Sequence, residues 1–242
     1  MARFRSHTVL AVSFVLVAVL TGCADRDTHE RGKVLSTGEL AAALLEPGDM
    51  EGKWTVNRGP EGADLSTTGE ITDANREQLP QVEVCDKAGA EPRKALDGLE
   101  WQAFRQVDRT VDNPITPPKD REGHMEFVQQ WLISGPSDEM ATLFDTIEPA
   151  FTDCLGDIPA GEEGPGTVTE ALIKPAGDQH VAVLSRFEEA GGIGTWNIYS
   201  VLVRAGTVLM SMTIVDIVLG DLPAEIQIPD VDRIVETAVD KF

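Results

Sequence analysis

The sequence contains three cysteines, Cys23, Cys85 and Cys154, whose thiols are its most reactive nucleophiles. A cysteine thiol can be acylated, can attack a substrate as a thiolate, or can be oxidised to a disulfide. The chain has four histidines, and neither Cys85 nor Cys154 has one nearby in sequence that could activate it. The sequence therefore favours cysteines that are modified or oxidised over a catalytic thiol.

Cys23 follows a segment that has the three parts of an export signal. Arg3 and Arg5 give a positive start, an apolar stretch covers residues 9–20, and two small residues precede the cysteine. The apolar stretch is shorter than the roughly 20 residues that a membrane-spanning helix needs. A cleaved leader is therefore the favoured interpretation, and an uncleaved membrane anchor is the alternative.

The order Leu20-Thr21-Gly22-Cys23 resembles the lipobox of bacterial lipoproteins. This resemblance implies removal of a signal peptide of residues 1–22 and transfer of a diacylglyceryl group to the Cys23 thiol. Two or more acyl chains, at about 0.8 kcal/mol per buried methylene, hold a protein stably on a membrane. Residues 23–33 are then the lipidated cysteine and a hydrophilic tether. We expect a lipid-anchored protein on the extracytoplasmic face of the cell membrane.

Residues 34–242 form one predicted domain, because no Pro- or Ser-rich linker divides them. The formal net charge of the whole chain is -21, and no basic patch offsets it. Such a charge repels phosphate backbones, so nucleic acid is excluded as a partner. The partners that remain are the membrane, through the lipid anchor, and an unknown extracellular small molecule or envelope protein.

Cys85 and Cys154 are an even pair in a chain expected to reside in an oxidising compartment, which predicts one disulfide. The two residues are 69 positions apart. Closing a loop of that length would stabilise the fold by about 4 kcal/mol in the chain-entropy model. Two isolated buried thiols are the alternative.

The common motifs of catalytic sites do not occur in the sequence. There is no Gly-x-Ser-x-Gly, and the glycines around Gly48 have the wrong spacing for a phosphate-binding loop. His124 and Glu126 could contribute to a metal or acid-base site if a third ligand joined them, but a solvated histidine at a loop edge is the favoured interpretation. We therefore expect a non-catalytic protein with no metal and no cofactor.

Tryptophans on or near predicted strands are the candidates for ligand contacts. An indole ring offers a large contact area and one hydrogen-bond donor, so tryptophans could line an apolar cleft. Packing in the core is the alternative for each of them, including Trp54. We take Trp101, Trp131 and Trp196 as the candidate ligand-binding residues.

Helix and strand patterns predict how these residues are positioned. Helices are predicted from a capping box at Ser36 to Pro47, from Ser137 to Cys154 with a break or kink at Pro149, and from Pro229 to the end of the chain. Strands are predicted over 50–57, 99–107, 125–133, 168–173, 181–187, 196–203 and 208–217. Phe127, Gln129 and Trp131 share one face of their strand. Short glycine-containing turns join the last four strands as successive hairpins. The predicted fold class is α+β, an antiparallel β-sheet meander covered on one face by two or three helices.

This layout resembles the extracellular sensor domain of actinobacteria that occurs on the receptor serine/threonine kinase PknH and on free-standing lipoproteins. The resemblance rests on a helix with Leu44-Leu45 that ends at Pro47-Gly48, a helix over 140–154 with a cysteine near its end, the hairpin 203–208 and a terminal helix. It implies an α+β domain with a cleft that receives an extracellular ligand. The sensor domain of that kinase has two disulfides, whereas Cys85 and Cys154 allow only one. No binding residue is therefore carried over.

The expected function is that of a membrane-anchored extracytoplasmic lipoprotein, a non-catalytic sensor or ligand-binding domain at the cell envelope. The alternative is a protein-interaction module that regulates an envelope complex or a membrane kinase without a small ligand. A pocket rich in tryptophan and aliphatic side chains would favour the first. A flat exposed apolar patch bordered by acidic residues would favour the second.

Overall fold

The computed structural model describes residues 32–57, 90–111, 123–161, 164–188, 194–219 and 231–242. The predicted signal peptide, Cys23 and Cys85 lie outside these residues. The described residues belong to one compact unit, Arg31–Phe242. Among them, no helix is both long enough and apolar enough to cross a membrane.

One antiparallel sheet of eight strands forms the centre of this unit. The strands are β1 (Thr55–Val56), β2 (Ala103–Val111), β3 (Gly123–Ser134), β4 (Gly156–Gly161), β5 (Gly164–Glu170), β6 (Gln179–Glu188), β7 (Gly194–Ala205) and β8 (Val208–Leu219). Their order across the sheet is β1-β2-β3-β8-β7-β6-β5-β4. Strands β4 to β8 are successive neighbours, and β8 then pairs with β3. The predicted α+β fold with an antiparallel meander is confirmed.

Four α-helices accompany the sheet among the described residues. They are α1 (Thr37–Ala43), α2 (Ala90–Asp97), α3 (Ser137–Thr152) and α4 (Val231–Val239), and a short 3₁₀ helix covers Pro47–Asp49. The predicted capping box is confirmed, because the Ser36 hydroxyl accepts from the Glu39 amide while the Glu39 carboxylate accepts from the Ser36 amide. Helix α3 continues past Pro149 to Thr152 rather than breaking there.

The helices divide between the two faces of the sheet, whereas the sequence predicted that they would cover one face. Helices α1 and α4 pack on the face that carries Val201 and Val203 of β7, which we call the first face. Helix α3 packs on the opposite face, with Leu202, which we call the second face, and α2 packs against α3. Because successive side chains of a strand alternate between faces, covering both faces requires nearly continuous apolar strands. This requirement explains the apolar sequence of β7 and β8.

The chain before β1 is fixed to the sheet by hydrogen bonds to its polar side chains. The Leu35 amide donates to Ser134 Oγ at 2.9 Å, and the Thr207 hydroxyl donates to the Lys33 carbonyl at 2.6 Å. Further along, the Leu45 amide donates to the buried Gln130 Oε1 at 2.7 Å. These hydrogen bonds attach the described chain to the sheet from Lys33 onward.

The region after α3 differs from the sequence-based prediction. Strand β4 lies in a segment rich in glycine and proline, for which no strand was predicted, and β5 covers Gly164–Glu170 instead of 168–173. Strand β4 is the edge of the sheet, where a proline is tolerated because one side of the strand makes no ladder hydrogen bonds. In β5, a Cβ atom on Gly166 would lie 2.6 Å from the Phe187 ring. The glycine therefore leaves room for this ring.

Candidate functional site

A row of neutral polar side chains crosses the second face of the sheet. The row consists of Gln106 on β2, Gln129 on β3, Thr213 on β8 and Ser200 on β7, and each is the direct cross-strand partner of the next. All four side chains are half-buried. Neighbouring strands are about 4.8 Å apart, so the polar row is about 14 Å long.

The two glutamines of the polar row are held by hydrogen bonds along the sheet. Gln129 Nε2 donates to Gln106 Oε1 at 2.8 Å, and Gln106 Nε2 donates to Asp108 Oδ1 at 2.8 Å. Burial raises the pKa of Asp108, and hydrogen bonds from Gln106 and Asn57 act in the opposite direction. Each amide has two N–H donors, and these contacts use one from each. The amides are thus oriented and keep hydrogen-bonding capacity.

Apolar side chains lie next to the polar row, towards the Trp196 end of β7. Phe127, Val215 and Ile198 form the neighbouring row across β3, β8 and β7. Val215 is only 3% exposed, whereas Phe127 and Ile198 on either side of it are half-buried. Trp196 follows on β7 and is 38% exposed. We call the polar row together with Phe127, Val215, Ile198 and Trp196 the open surface.

Charge is sparse on the open surface. Asp108 on β2 lies at one margin and Glu170 on β5 at the other. Among the described strand residues from the polar row to the row of Trp196 on this face, none is a lysine or arginine. On the described strands, neutral donors and acceptors therefore lie between two acidic margins.

The structure places the three candidate tryptophans on the second face but not in one cluster. Trp131 is fully buried, stacks on Phe104 with ring centroids 3.8 Å apart, and lies 6.4 Å from the Trp101 ring. Its Nε1 is buried and has no hydrogen-bond partner among the described residues. Trp131 and Trp196 lie on opposite sides of the polar row, about 20 Å apart along the strand direction. Core packing accounts for Trp131, while Trp196 is the candidate exposed to solvent.

Sequence reasoning missed most of the polar row. It placed Gln129 on the same face as Trp131, which the structure confirms, because strand alternation can be read within one segment. Gln106, Thr213 and Ser200 belong to three other strands. Their alignment depends on the β2-β3-β8-β7 pairing, which crosses from one part of the sequence to another. No local pattern marks it.

Of the hypothesised pair His124 and Glu126, the structure describes only the side chain of Glu126, so the site is not tested. Glu126 points to the first face, is fully buried and forms an ion pair with Arg109. The His124 side chain lies outside the described residues. The described chain contains no group of three histidine, cysteine or acidic side chains arranged to hold a metal ion.

The predicted disulfide falls partly outside the described residues. Cys154 is buried just beyond the end of α3, within the core of the second face. Cys85 lies outside the described residues. The bond between them therefore stays a prediction.

The chain was compared with protein families, curated proteins and solved structures. No family model matches it, and no curated protein matches it. Among solved structures, it is similar to the extracellular domain of PknH from Mycobacterium tuberculosis, with 15% sequence identity and a TM-score of 0.46 over 87% of this chain and 97% of that one.

Proposed function

We propose that this protein is a non-catalytic ligand-binding domain, held on the extracytoplasmic face of the cell membrane by lipid on Cys23, and that the open surface binds its ligand. The polar row carries this proposal. Four neutral polar side chains are aligned on four strands next to half-exposed apolar ones. Small-molecule sites combine an apolar lining with a few placed polar groups, and this surface has that composition.

The side chains of the polar row favour binding over chemical transformation. Amides and hydroxyls are uncharged near neutral pH, so they orient a ligand by hydrogen bonds but are poor general bases. They are also carried by strands of a continuous sheet, and rigid elements hold binding groups more precisely than loops do. A domain that recognises a ligand and relays its presence, as the resemblance to sensor domains implies, needs these properties and no catalytic group.

The leader sequence supports the proposed location. Leu20-Thr21-Gly22-Cys23 would supply the acylation site, and the Lys33 carbonyl, ten residues later, accepts a hydrogen bond from Thr207 of the sheet. The hydrophilic residues between them suit a short tether. An acylated Cys23 would therefore keep the domain close to the membrane surface without a spanning helix.

Metabolic labelling with a palmitate analogue tests the anchor. We expect label on the wild-type protein and none on Cys23→Ser, because the acylated thiol is missing. The double variant Cys85→Ser/Cys154→Ser is the matched control and should keep the label. Label that persists on Cys23→Ser, or a wild-type protein without label, would overturn the anchor while leaving the binding site untouched.

Native mass spectrometry of the mature protein, released from membranes in detergent, tests the binding site. We expect a co-purifying small molecule on the wild-type protein and a clear loss of it from Thr213→Val. This substitution removes one hydroxyl of the polar row and keeps the side-chain shape. Thr169→Val on the exposed edge region of β5 is the matched control. A wild-type protein free of ligand, or equal retention by both variants, argues for a protein partner instead.

A further inference from the structure

We infer that the open surface recognises a neutral carbohydrate, an inference that rests on the proposed function. The polar row and the apolar side chains beside it favour different chemical groups in a ligand. Its polar row needs hydrogen-bonding partners, and its apolar part needs a non-polar face. A sugar ring meets both demands, because it has a rim of hydroxyl groups and faces made of C–H bonds.

The polar row fits a chain of hydroxyl groups. Gln129 and Gln106 each have a second amide N–H donor besides the one already used within the sheet. Thr213 and Ser200 have hydroxyls that can donate and accept. A sugar hydroxyl also donates and accepts, so it can pair with any of these four groups. The row is about 14 Å long with groups at intervals of about 4.8 Å, which suits an extended ligand with repeated hydroxyls.

The apolar part fits the C–H faces of sugar rings. Phe127 on β3 lies directly across from the buried Val215, and Trp196 on β7 lies one row further along, across from Ile217; both aromatic side chains are partly exposed. Aromatic rings provide large, rigid contact areas for such faces at low cost in side-chain entropy. Trp196 also stands directly across from Phe187 on β6, which extends the aromatic surface to a third strand.

The charges and the polar groups argue against anionic ligands and against purely apolar ones. Phosphates, carboxylates and anionic lipid headgroups would meet Asp108 and Glu170 at the margins, and no described strand residue of this part of the face is a lysine or arginine to pair with them. A purely apolar ligand, such as an acyl chain, would cover the two glutamines without satisfying them. Each unsatisfied buried polar group costs about 1–3 kcal/mol. A ligand that is uncharged and rich in hydroxyl groups avoids both penalties.

The test uses the mature full-length lipoprotein in detergent, applied to an array of neutral and acidic glycans and, separately, titrated with oleate. Neutral glycans should bind and acidic glycans and oleate should not. The best neutral oligosaccharide is then titrated while tryptophan fluorescence is recorded. We expect about tenfold weaker binding for Thr213→Val and for Gln129→Leu, which corresponds to the loss of one hydrogen bond of about 1.4 kcal/mol. Thr169→Val should bind as the wild type does.

Each outcome separates the carbohydrate inference from the proposed function. Binding of oleate or of acidic glycans alone would overturn the inference, while the ligand-binding function would stand. Absence of any glycan binding, with a co-purifying molecule of another class on the wild-type protein, would do the same. If the wild-type protein neither binds a glycan nor carries a co-purifying molecule, the inference and the proposed function are overturned together. The melting temperatures of the variants, compared with that of the wild type, identify any variant that loses binding because it fails to fold.

Discussion

Glu126 on β3 and Asp216 on β8 are direct cross-strand neighbours on the first face, and their residues are 0% and 1% exposed. Two carboxylates are thus placed side by side inside the protein. Arg109 pairs with Glu126 on one side. On the other, Asn197 Nδ2 donates to Asp216 Oδ2 at 3.2 Å, and Arg186 Nε donates to Asn197 Oδ1 at 3.0 Å. The network balances two negative charges with two positive ones across five strands.

Removing Arg109 tests how much this network depends on its charge balance. Arg109→Ala removes a cation that pairs with the buried Glu126 carboxylate, which lies next to Asp216. Breaking a buried pair in this way costs about 3 kcal/mol or more. The loss also removes a cation-π contact with Trp54, whose ring centroid is 5.2 Å from the guanidinium. We expect the free energy of unfolding, measured by urea denaturation, to fall by about 3 kcal/mol.

An exposed ion pair is the control for this substitution. Arg233 on α4 pairs with Glu51, and both side chains are largely exposed. Exposed pairs contribute about 1 kcal/mol or less, so Arg233→Ala should lower the free energy of unfolding by no more than that. Equal losses for Arg109→Ala and Arg233→Ala would show that the buried network tolerates an uncompensated charge.

The cap of α1 predicts a pH dependence of stability. A hydrogen bond from Lys33, with further hydrogen bonds from the Ser36 amide and hydroxyl, lowers the pKa of Glu39 from 4.5 to about 2. Because the folded-state pKa lies below the unfolded one, the stabilisation is present above about pH 4.5 and is lost as the pH falls towards 2. Glu39→Gln keeps a cap acceptor but has no charge. It should be less stable than the wild type at pH 6 and equally stable near pH 2.

Urea denaturation at a series of pH values from 2 to 6 measures this difference. High salt is the control, since Glu39 and Lys33 are exposed and their attraction is screened. The stability difference between Glu39→Gln and the wild type should shrink in about 1 M salt. At that ionic strength, charges more than about 3 Å apart are largely screened from each other. Parallel stability profiles over the whole pH range would contradict the lowered pKa.

Local signals in the sequence predicted individual elements and consecutive hairpins. Ser36 and Glu39 marked the start of α1, and Gly206, with a φ of 60°, forms the turn between β7 and β8 where a glycine was expected. These features depend on residues a few positions apart. The pairing of β8 with β3 and the division of helices between both faces depend on packing between distant segments, which no local pattern encodes.

The same distinction explains what was predicted of the candidate site. Tryptophans are conspicuous in a sequence, so Trp131 and Trp196 were both proposed as ligand contacts. Their burial differs: Trp131 is fully buried and stacks on Phe104, whereas Trp196, near the start of β7, is 38% exposed. Single glutamines and hydroxyl residues such as Gln106 and Thr213 are inconspicuous. They became candidates only when strand pairing aligned them.

The predicted disulfide between Cys85 and Cys154 gives a direct chemical test. Without reductant, alkylation of the unfolded protein should modify neither cysteine, and with reductant it should modify both, as read by intact mass. The bond should contribute about 4 kcal/mol to the free energy of unfolding. The double variant Cys85→Ser/Cys154→Ser should be destabilised and insensitive to reductant. Two alkylated thiols without reductant would establish the alternative of isolated buried cysteines.

Paired substitutions of Trp131 and Trp196 separate a core residue from a ligand contact. Trp131→Ala removes a fully buried ring that stacks on Phe104, so the free energy of unfolding should fall by about 4 kcal/mol. Trp196 is 38% exposed, so Trp196→Ala should cost much less, about 1 kcal/mol. Urea denaturation measures both losses.

Ligand binding should show the opposite order of effects. Trp196 lies on the open surface beside Ile198. Trp196→Ala should therefore weaken binding of the co-purifying ligand by about tenfold or more while the protein stays folded. A tenfold loss corresponds to an aromatic contact worth about 1.4 kcal/mol. Trp131→Phe keeps an aromatic ring in the core and should bind as the wild type does. If Trp131→Phe weakens binding and Trp196→Ala does not, the ligand lies over the aromatic cluster of Trp101, Trp131 and Phe104 instead of on the open surface.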